Sequence, residues 1–444
     1  MELQPTTDNN GGNYRVPDEH CDNLLAIGNR SVETLCQENP DLLIFPQSLG
    51  LNHDDIAKSP IFVLQDGILT THNMMGFVGR GATRLTISSR FCKDDRHDYF
   101  LHYMLQRVFA INLFDFEQTS NDESIWNFLL YLFPYYLKLA YRQGIYRTYV
   151  RNEYNDAYVK GRIDVNRHIR MNVPFRGQIA YSTREYSADN PMIQLIRHTI
   201  EYISNHPLGK GVLMTDAETR DAVSKIRMMT QSSYQKNDRQ RVVIANMKRF
   251  SHPYYTAYVM LQKICMQILR RDKISFGEKE SKIYGLLFDG AWLWEEFIHK
   301  TILSECGFSH PQNRTGKGGI YLFDKNDSDI NFVVSRCKRY PDYFKENFIL
   351  DAKYKHLDNN RIDRNDMHQI ISYMHVEKAN IGGFIYPRST MDIMITKLGN
   401  LRGYAGVIYN IGVPIPQKKE TYTMFCLEMQ NIQEELKRKI LELS

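Results

Sequence analysis

The stretch Tyr340-Pro341-Asp342, followed after a short polar gap by Phe348-Ile-Leu-Asp-Ala-Lys-Tyr-Lys355, decides how this chain is read. The strand period of two puts Asp351 and Lys353 on one face and turns Ala352 to the other. Lys345-Glu346-Asn347 reads as a hairpin turn, which would bring Asp342 beside Asp351 across the ladder. An acid-x-lysine triplet by itself usually marks a solvated strand edge. Here the acid directly follows Phe348-Ile349-Leu350, so it emerges from a run that reads as buried.

Working outward, three more groups join the pair. Two converging carboxylates repel, and a divalent cation relieves them; an all-oxygen donor set selects a hard ion such as Mg²⁺, with Mn²⁺ as a substitute. Glu295 and Glu296 lie on a predicted helix over Ala291–Leu303, whose Trp292, Trp294 and Phe297 require partial burial. A glutamate on such a helix needs a partner, and the metal is an obvious one for Glu295. Gln369 and Tyr373 are four apart on a predicted helix over Asp366–Val376, hence on one face, placed to hold a water, Lys353 or a nucleic-acid backbone. Lys353, a compact point charge, suits the charge that develops on a phosphate under attack. The pattern predicts metal-dependent phosphodiester hydrolysis, with one site per chain, so that cutting both strands takes two copies.

At this point the chain resembles a known family, the McrC nuclease subunits of McrBC-type, 5-methylcytosine-directed restriction systems, members of the PD-(D/E)xK nuclease superfamily. The residues that carry the resemblance are Leu293-Trp-Glu-Glu-Phe-Ile298, Pro341-Asp342, Asp351-Ala-Lys-Tyr-Lys355 and Asp366-x-x-Gln369-x-x-x-Tyr373. Upstream, Gly161-Arg-Ile-Asp-Val-Asn-Arg-His-Ile-Arg170 and Ser187-Ala-Asp-Asn-Pro191 are similar to family signatures, and the likeness runs from about residue 60 to 410. Trp294 stands where a phenylalanine is common. The resemblance implies metal held by Asp342, Asp351, Glu295 and the backbone carbonyl of Ala352, with Lys353 and Gln369 completing the catalytic set. It also implies a McrB-like hexameric ring of AAA+ GTPases as partner, GTP used only through that partner, and double-stranded DNA as substrate.

Composition bounds the alternatives. At 444 residues the chain exceeds what one core usually organises. The seven cysteines are scattered and never paired as C-x-x-C, which suits a reducing compartment; Cys306 and His310 make at best half a zinc site. No secretory leader is legible, and Ile125–Leu139 is interrupted by Asn127, Pro134 and Lys138, short of the roughly 20 apolar residues a bilayer needs. A cytoplasmic protein without membrane contact is therefore expected. The nearest phosphate-loop candidate, Thr315-Gly316-Lys317-Gly318, lacks both the upstream glycine and the hydroxyl, so no nucleotide site is expected.

The expected architecture is α+β and multidomain. A polar leader fills 1–40, flexible except for a short helix near Leu24–Ile27. A β-rich adaptor with helices follows over 41–185, a helical middle over 186–284, a restriction-endonuclease-like PD-(D/E)xK domain over 285–424, and a terminal helix over 425–444. Strand patterns are read at Ile61–Leu64, Ile68–Thr70, Gly76–Gly79, Leu85–Ile87, Ile145–Tyr146, Tyr149–Val150, Ile163–Val165, Gln178–Tyr181, Ile320–Leu322, Asn331–Val334, Tyr340–Phe344, Gly383–Tyr386 and Ala405–Tyr409. Helical spacing is read at His97–Phe109, Trp126–Tyr141, Pro191–Ser204 and Tyr255–Arg271.

Between Lys138 and Arg176 nine Lys/Arg meet three Asp/Glu, a local +6 against +5 for the whole chain. Tyrosines interleave with these charges, as on surfaces that track a nucleic-acid backbone. A solvated face is the plain reading, and contact with DNA or a partner through Arg162, Arg167 and Arg170 is the functional one, with Tyr373 as a further contact. Two rival functions remain: an adaptor that only stimulates a partner GTPase, and a stand-alone RecB-like repair nuclease. Intact Asp342, Asp351 and Lys353 weigh against the first, and the long amino-terminal region against the second.

Overall fold

The computed structural model describes residues 3–39, 42–46, 55–81, 83–92, 98–109, 121–207, 209–214, 216–274, 283–311, 318–322, 338–357, 362–390, 392–403 and 406–443. The chain is mixed α/β and divides into two compact units. One joins 1–110 to 279–444; the other is the intervening 111–278. These divisions replace the expected boundaries at 41, 186 and 285.

The first unit contains two five-stranded sheets. One runs Thr6–Thr7, Thr83–Ser88, Met74–Arg80, Ile283–Asp289, Leu42–Phe45, so a strand from the second half of the chain lies between two from the first. The approach is close at Gly76, where a Cβ would sit 2.1 Å from the carbonyl oxygen of Leu286 and φ is +125°. Only glycine fits there. Leu24, Ile27, Val32 and Leu35 are buried in the same core as Ile283 and Leu287. The expected loose leader is thus corrected: residues 3–39 hold two short strands and the helices Asp18–Leu25 and Val32–Glu38, because Leu3, Val16, Leu24, Ile27, Val32 and Leu35 find this core.

The second sheet runs Tyr343–Lys345, Phe348–Ala352, Ile381–Arg388, Val407–Pro414, Met394–Asn400, with the two inner pairings parallel and the outer two antiparallel. The helix Arg364–Glu377 makes the crossover between the first two parallel strands, packing Ile370, Tyr373 and Met374 against Ile349 and Phe384. The Met394–Asn400 strand was not expected; its alternation is weak and it lies at the sheet edge. The expected Tyr340–Phe344 strand is split by Pro341 into Lys338–Arg339 and Tyr343–Lys345. The expected Ala291–Leu303 helix is α-helical over Gly290–Ile298 and continues as a π-helical turn over His299–Leu303. The strand expected at Asn331–Val334 lies outside the described residues.

In the second unit, helices Asn121–Arg142, Pro191–Ser204, Ala217–Met229 and Tyr258–Ile274 pack together, and a three-stranded antiparallel sheet joins Thr148–Asp156, Ile179–Ser187 and Arg162–Ile163. Ile145–Tyr146 is not a strand, and Val165, expected to be extended, begins a helix to Asn172 because Asp164 caps it, accepting from the Arg167 N–H at 3.1 Å. Asn190 caps Pro191–Ser204 in the same way, accepting from Met192 and Ile193, with proline in the first turn where no N–H is missed. Gly161 passes so near Ser182 that a Cβ would lie 2.3 Å from its carbonyl oxygen.

Candidate active site

The site is built by the hairpin that joins the first two strands of the second sheet. Tyr343 pairs with Leu350, Phe344 with Ile349 and Lys345 with Phe348, so Glu346-Asn347 form a two-residue turn, with Asn347 at φ 68°. Asparagine tolerates that left-handed conformation better than other side-chain-bearing residues, and its Oδ1 also accepts from the Asn380 N–H at 2.7 Å. Carrying this register one step on sets Asp342 opposite Asp351. Oδ2 of Asp342 accepts from the Ala352 N–H at 2.7 Å. Phe348, Ile349 and Leu350 are wholly buried, and Asp351 is 1 % exposed.

Burial and neighbouring negative charge oppose ionisation of both carboxylates. Burial pushes Asp342 up to about 7, reinforced by the negative charge of Glu295 and opposed by Lys353. Burial pushes Asp351 up to about 8, reinforced by Asp342 and opposed by Lys353. The Lys353 ammonium pairs with Oδ2 of Asp351, which receives no well-directed hydrogen bond, and lies 3.1 Å from Oδ1 of Asp366. Burial works against the lysine's charge, yet Asp351 and Asp342 hold it above its ordinary range.

Glu295 and Glu296 sit where the Gly290–Ile298 helix passes the hairpin, fixed by fully buried Trp294, whose indole N–H donates to the Ile385 carbonyl at 3.3 Å. Both glutamates face His310, each 3.6 Å from its Nε2. Nδ1 of His310 donates to the Asp342 carbonyl at 2.7 Å, and the ring lies 4.8 Å from that of His299 and 5.4 Å from that of Tyr343. Burial would lower this histidine, but its bond to Glu296, the charge of Glu295 and the Asp342 carbonyl raise it to about 9, so it is a cation at neutral pH. Sequence reasoning missed its role: the useful signal is a histidine following a Glu-Glu helix, not its pairing with Cys306.

Gln369 donates to the Tyr373 hydroxyl at 2.9 Å on the neighbouring helix, whose Asp366 reaches both Lys353 and Lys355. The expected site residues Asp342, Asp351 and Lys353 are therefore brought together. Gln369 and Tyr373 stand on the helix alongside, and Glu295 couples to Asp342 through charge while facing His310. Among the described residues no three of His, Cys, Asp and Glu form a ready-made metal cluster. The donor chemistry nevertheless fits a hard divalent cation: burial opposes ionisation of both carboxylates, and Oδ2 of Asp351 has the Lys353 ammonium beside it but no well-directed hydrogen bond.

Residues 69–387 match the model of a family described as the McrBC 5-methylcytosine restriction system component. The chain belongs to this family. Among solved structures, the McrBC-family chain is similar to one from the refined half-complex of a tetradecameric assembly of Thermococcus gammatolerans McrB AAA+ hexamers with bound McrC. That match has 13% identity and a TM-score of 0.45, over 92% of this chain and 95% of that one. Another is from the cryo-EM structure of the Thermococcus gammatolerans McrBC complex, at 15% identity and a TM-score of 0.28, over 65% and 83% of the respective chains. No curated protein matches the sequence significantly. No helix of the described residues of this McrBC-family chain is long and apolar enough to cross a membrane.

The basic segment of the McrBC-family chain has two characters. Arg167 is half-buried on the Val165–Asn172 helix and tied to the strand Thr148–Asp156, with Nη1 2.9 Å from Glu153 and Nη2 donating to the Tyr154 carbonyl at 2.5 Å. Tyr146 and Tyr154 pack against other rings. Arg162 and Arg170, by contrast, are exposed, and so are Ile163, Val165, Ile169, Met171, Val173 and Phe175. These exposed hydrophobic side chains stand among the exposed arginines over 162–175.

Proposed function

We propose that this chain is the nuclease subunit of a modification-dependent restriction complex, hydrolysing DNA phosphodiesters with Mg²⁺ on a PD-(D/E)xK-type domain. The observation that carries the reading is the pair of half-buried Asp342 and buried Asp351, opposed across a hairpin with the Lys353 ammonium between sheet and helix. Asp342, Asp351 and the Ala352 carbonyl would hold the cation, with Glu295, whose charge acts on Asp342, as an auxiliary ligand. A divalent ion there supplies Lewis-acid charge neutralisation and a water of lowered pKa.

The chain's own residues do the rest. Positive charge at this place favours the ionised forms of Asp351 and Asp342, which burial opposes. Lys353 presents a fixed positive charge for the phosphate oxygens as negative charge accumulates. His310, charged at neutral pH, fixes the Asp342 backbone and keeps the two glutamates of the adjoining helix in place. Gln369 and Tyr373, bonded to each other, form a polar edge for the water or the DNA backbone.

Membership of the McrBC family supports an AAA+ GTPase ring as the partner, and the exposed arginine and apolar side chains over 162–175 are the surface we assign to it or to DNA. Reading the base modification and consuming GTP belong to that partner. The test incubates the purified chain and its Asp351→Ala variant with 5-methylcytosine-containing and unmodified DNA, Mg²⁺ and GTP, with and without the AAA+ protein encoded beside it. Cleavage of modified DNA that needs both the partner and Asp351 is expected. Cleavage that survives the substitution overturns the site, and GTPase stimulation with no cleavage by the wild type makes the chain an adaptor.

A further inference from the structure

Asp366 was part of the motif Asp366-x-x-Gln369-x-x-x-Tyr373, yet the chemistry above gives it nothing to do. Its position says otherwise. It stands in the first turn of the Arg364–Glu377 helix, with one oxygen 3.1 Å from the Lys353 ammonium and the other paired with Lys355. Lys353 thereby touches two carboxylates at once: Asp351, where the cation would sit, and Asp366, on a different element. Lys355 is 40 % exposed along its side chain and Lys353 only 17 %, so the first lysine is partly served by water and the second depends on these two acids.

This arrangement creates a competition. While no divalent ion is present, the lysine supplies the positive charge that Asp351 requires. A divalent cation at Asp351 and Asp342 would meet that ammonium at close range, and two positive charges a few ångströms apart inside a protein repel far more strongly than they do in water. The lysine must then leave Asp351 or the ion must stay out. A buried ammonium leaves one carboxylate only for another. We propose that Asp366 is the positioning residue that receives Lys353 when the cation binds, so that the lysine gives up Asp351 without losing its charge or its place beside the scissile phosphate. The proposal rests on the site reading above.

The test measures binding of Mn²⁺ alone to the full-length chain by calorimetry, without DNA, in a cycle of Asp366→Asn and Lys353→Met. Asp366→Asn, which leaves Lys353 no second acid, is expected to weaken Mn²⁺ binding roughly tenfold, and Lys353→Met to tighten it, since the competitor is gone. In the Lys353→Met background the effect of Asp366→Asn falls to within about twofold, because a seat without an occupant has no effect. An equal loss in both backgrounds would show that Asp366 acts only as a distant negative charge and overturns the proposal. Mn²⁺ binding that persists unchanged in Asp351→Ala overturns the underlying site instead. A crystal structure of the wild-type chain with Mn²⁺ gives an independent reading: Lys353 bonded to Asp366 and withdrawn from Asp351 supports the exchange, and Lys353 still on Asp351 beside a bound ion sinks it.

Discussion

Single residues decide whether charge is tolerated in this chain, and Asp8 shows this away from the site. It is completely buried, with Oδ1 accepting from the Arg90 N–H at 2.7 Å and Oδ2 3.6 Å from the Arg90 guanidinium. That guanidinium lies over the ring of Tyr354 at 4.6 Å, and the Tyr354 hydroxyl meets Ser89 at 2.8 Å, so the residue after Lys353 is fastened to the amino-terminal sheet. Burial pushes Asp8 up to about 7, against the pull of Arg90. A carboxyl whose pKa is raised on folding contributes stability that is complete below about 4 and is lost as pH rises through about 7. Asp8→Asn should therefore gain on the wild type as pH rises from 4 to 7, by at most roughly 1.4 kcal/mol per pH unit. Urea titrations of both proteins at several pH values check this, and a constant difference would show that Asp8 stays ionised throughout. No pattern in Asp8-Asn9-Asn10-Gly11-Gly12 announces any of it, because the partners Arg90 and Tyr354 are far off in the chain.

Among the elements, the hairpin was legible in outline, though Lys345, read as part of the turn, ends the first strand and the turn is Glu346-Asn347 alone. Phe348-Ile-Leu supplies the buried strand and Asn347 the left-handed turn position, and the pairing of Lys345 with Phe348 carries the register that sets Asp342 opposite Asp351. Asn347→Ala should cost about 1–2 kcal/mol, from the backbone conformation and the lost bond to Asn380, and Asn347→Gly less, since glycine forfeits only the bond. Denaturant melts of the two variants give the ranking; an alanine no worse than glycine would mean the turn relaxes. The basic segment was less legible. Its charge count did not separate Arg167, which braces Glu153 and Tyr154, from Arg162 and Arg170, which face solvent. Replacing Arg162 and Arg170 together by alanine should leave the melting temperature within about a degree, as surface changes do, and reduce GTPase stimulation or DNA affinity at least several-fold. Arg167→Ala should lower the melting temperature instead.

At the scale of the whole molecule, the order of units along the chain misleads. The expected nuclease segment 285–424 begins inside the strand Ile283–Asp289, which pairs on one side with Met74–Arg80 and on the other with Leu42–Phe45. Expressed alone, 285–424 should be insoluble or fail to melt cooperatively, with that strand's hydrogen bonds and its Leu287 core contacts unmet. The first unit with 111–278 replaced by a flexible linker should fold, because its sheets and cores come from the two outer segments. Circular dichroism and thermal melts of the two products separate these outcomes, and a cooperatively folded 285–424 would show that the shared sheet is dispensable.

The sequence by itself determined what depends on near neighbours: the strand period that sets Asp351 with Lys353, the turn at Asn347, the Asn190 cap before Pro191, and the apolar spacing of Pro191–Ser204, found from end to end as read. Each of these is written within a few residues, in dihedral preference and in which side chains share a face. Only the tertiary structure decided that Ile283–Asp289 completes the amino-terminal sheet, that the polar first residues are a working part of a core, and that Glu295 looks to His310. It alone also placed Asp366 on Lys353. Those pairings join residues from 13 to more than 200 positions apart, where burial and charge choose partners by proximity in space, and no local periodicity encodes the choice.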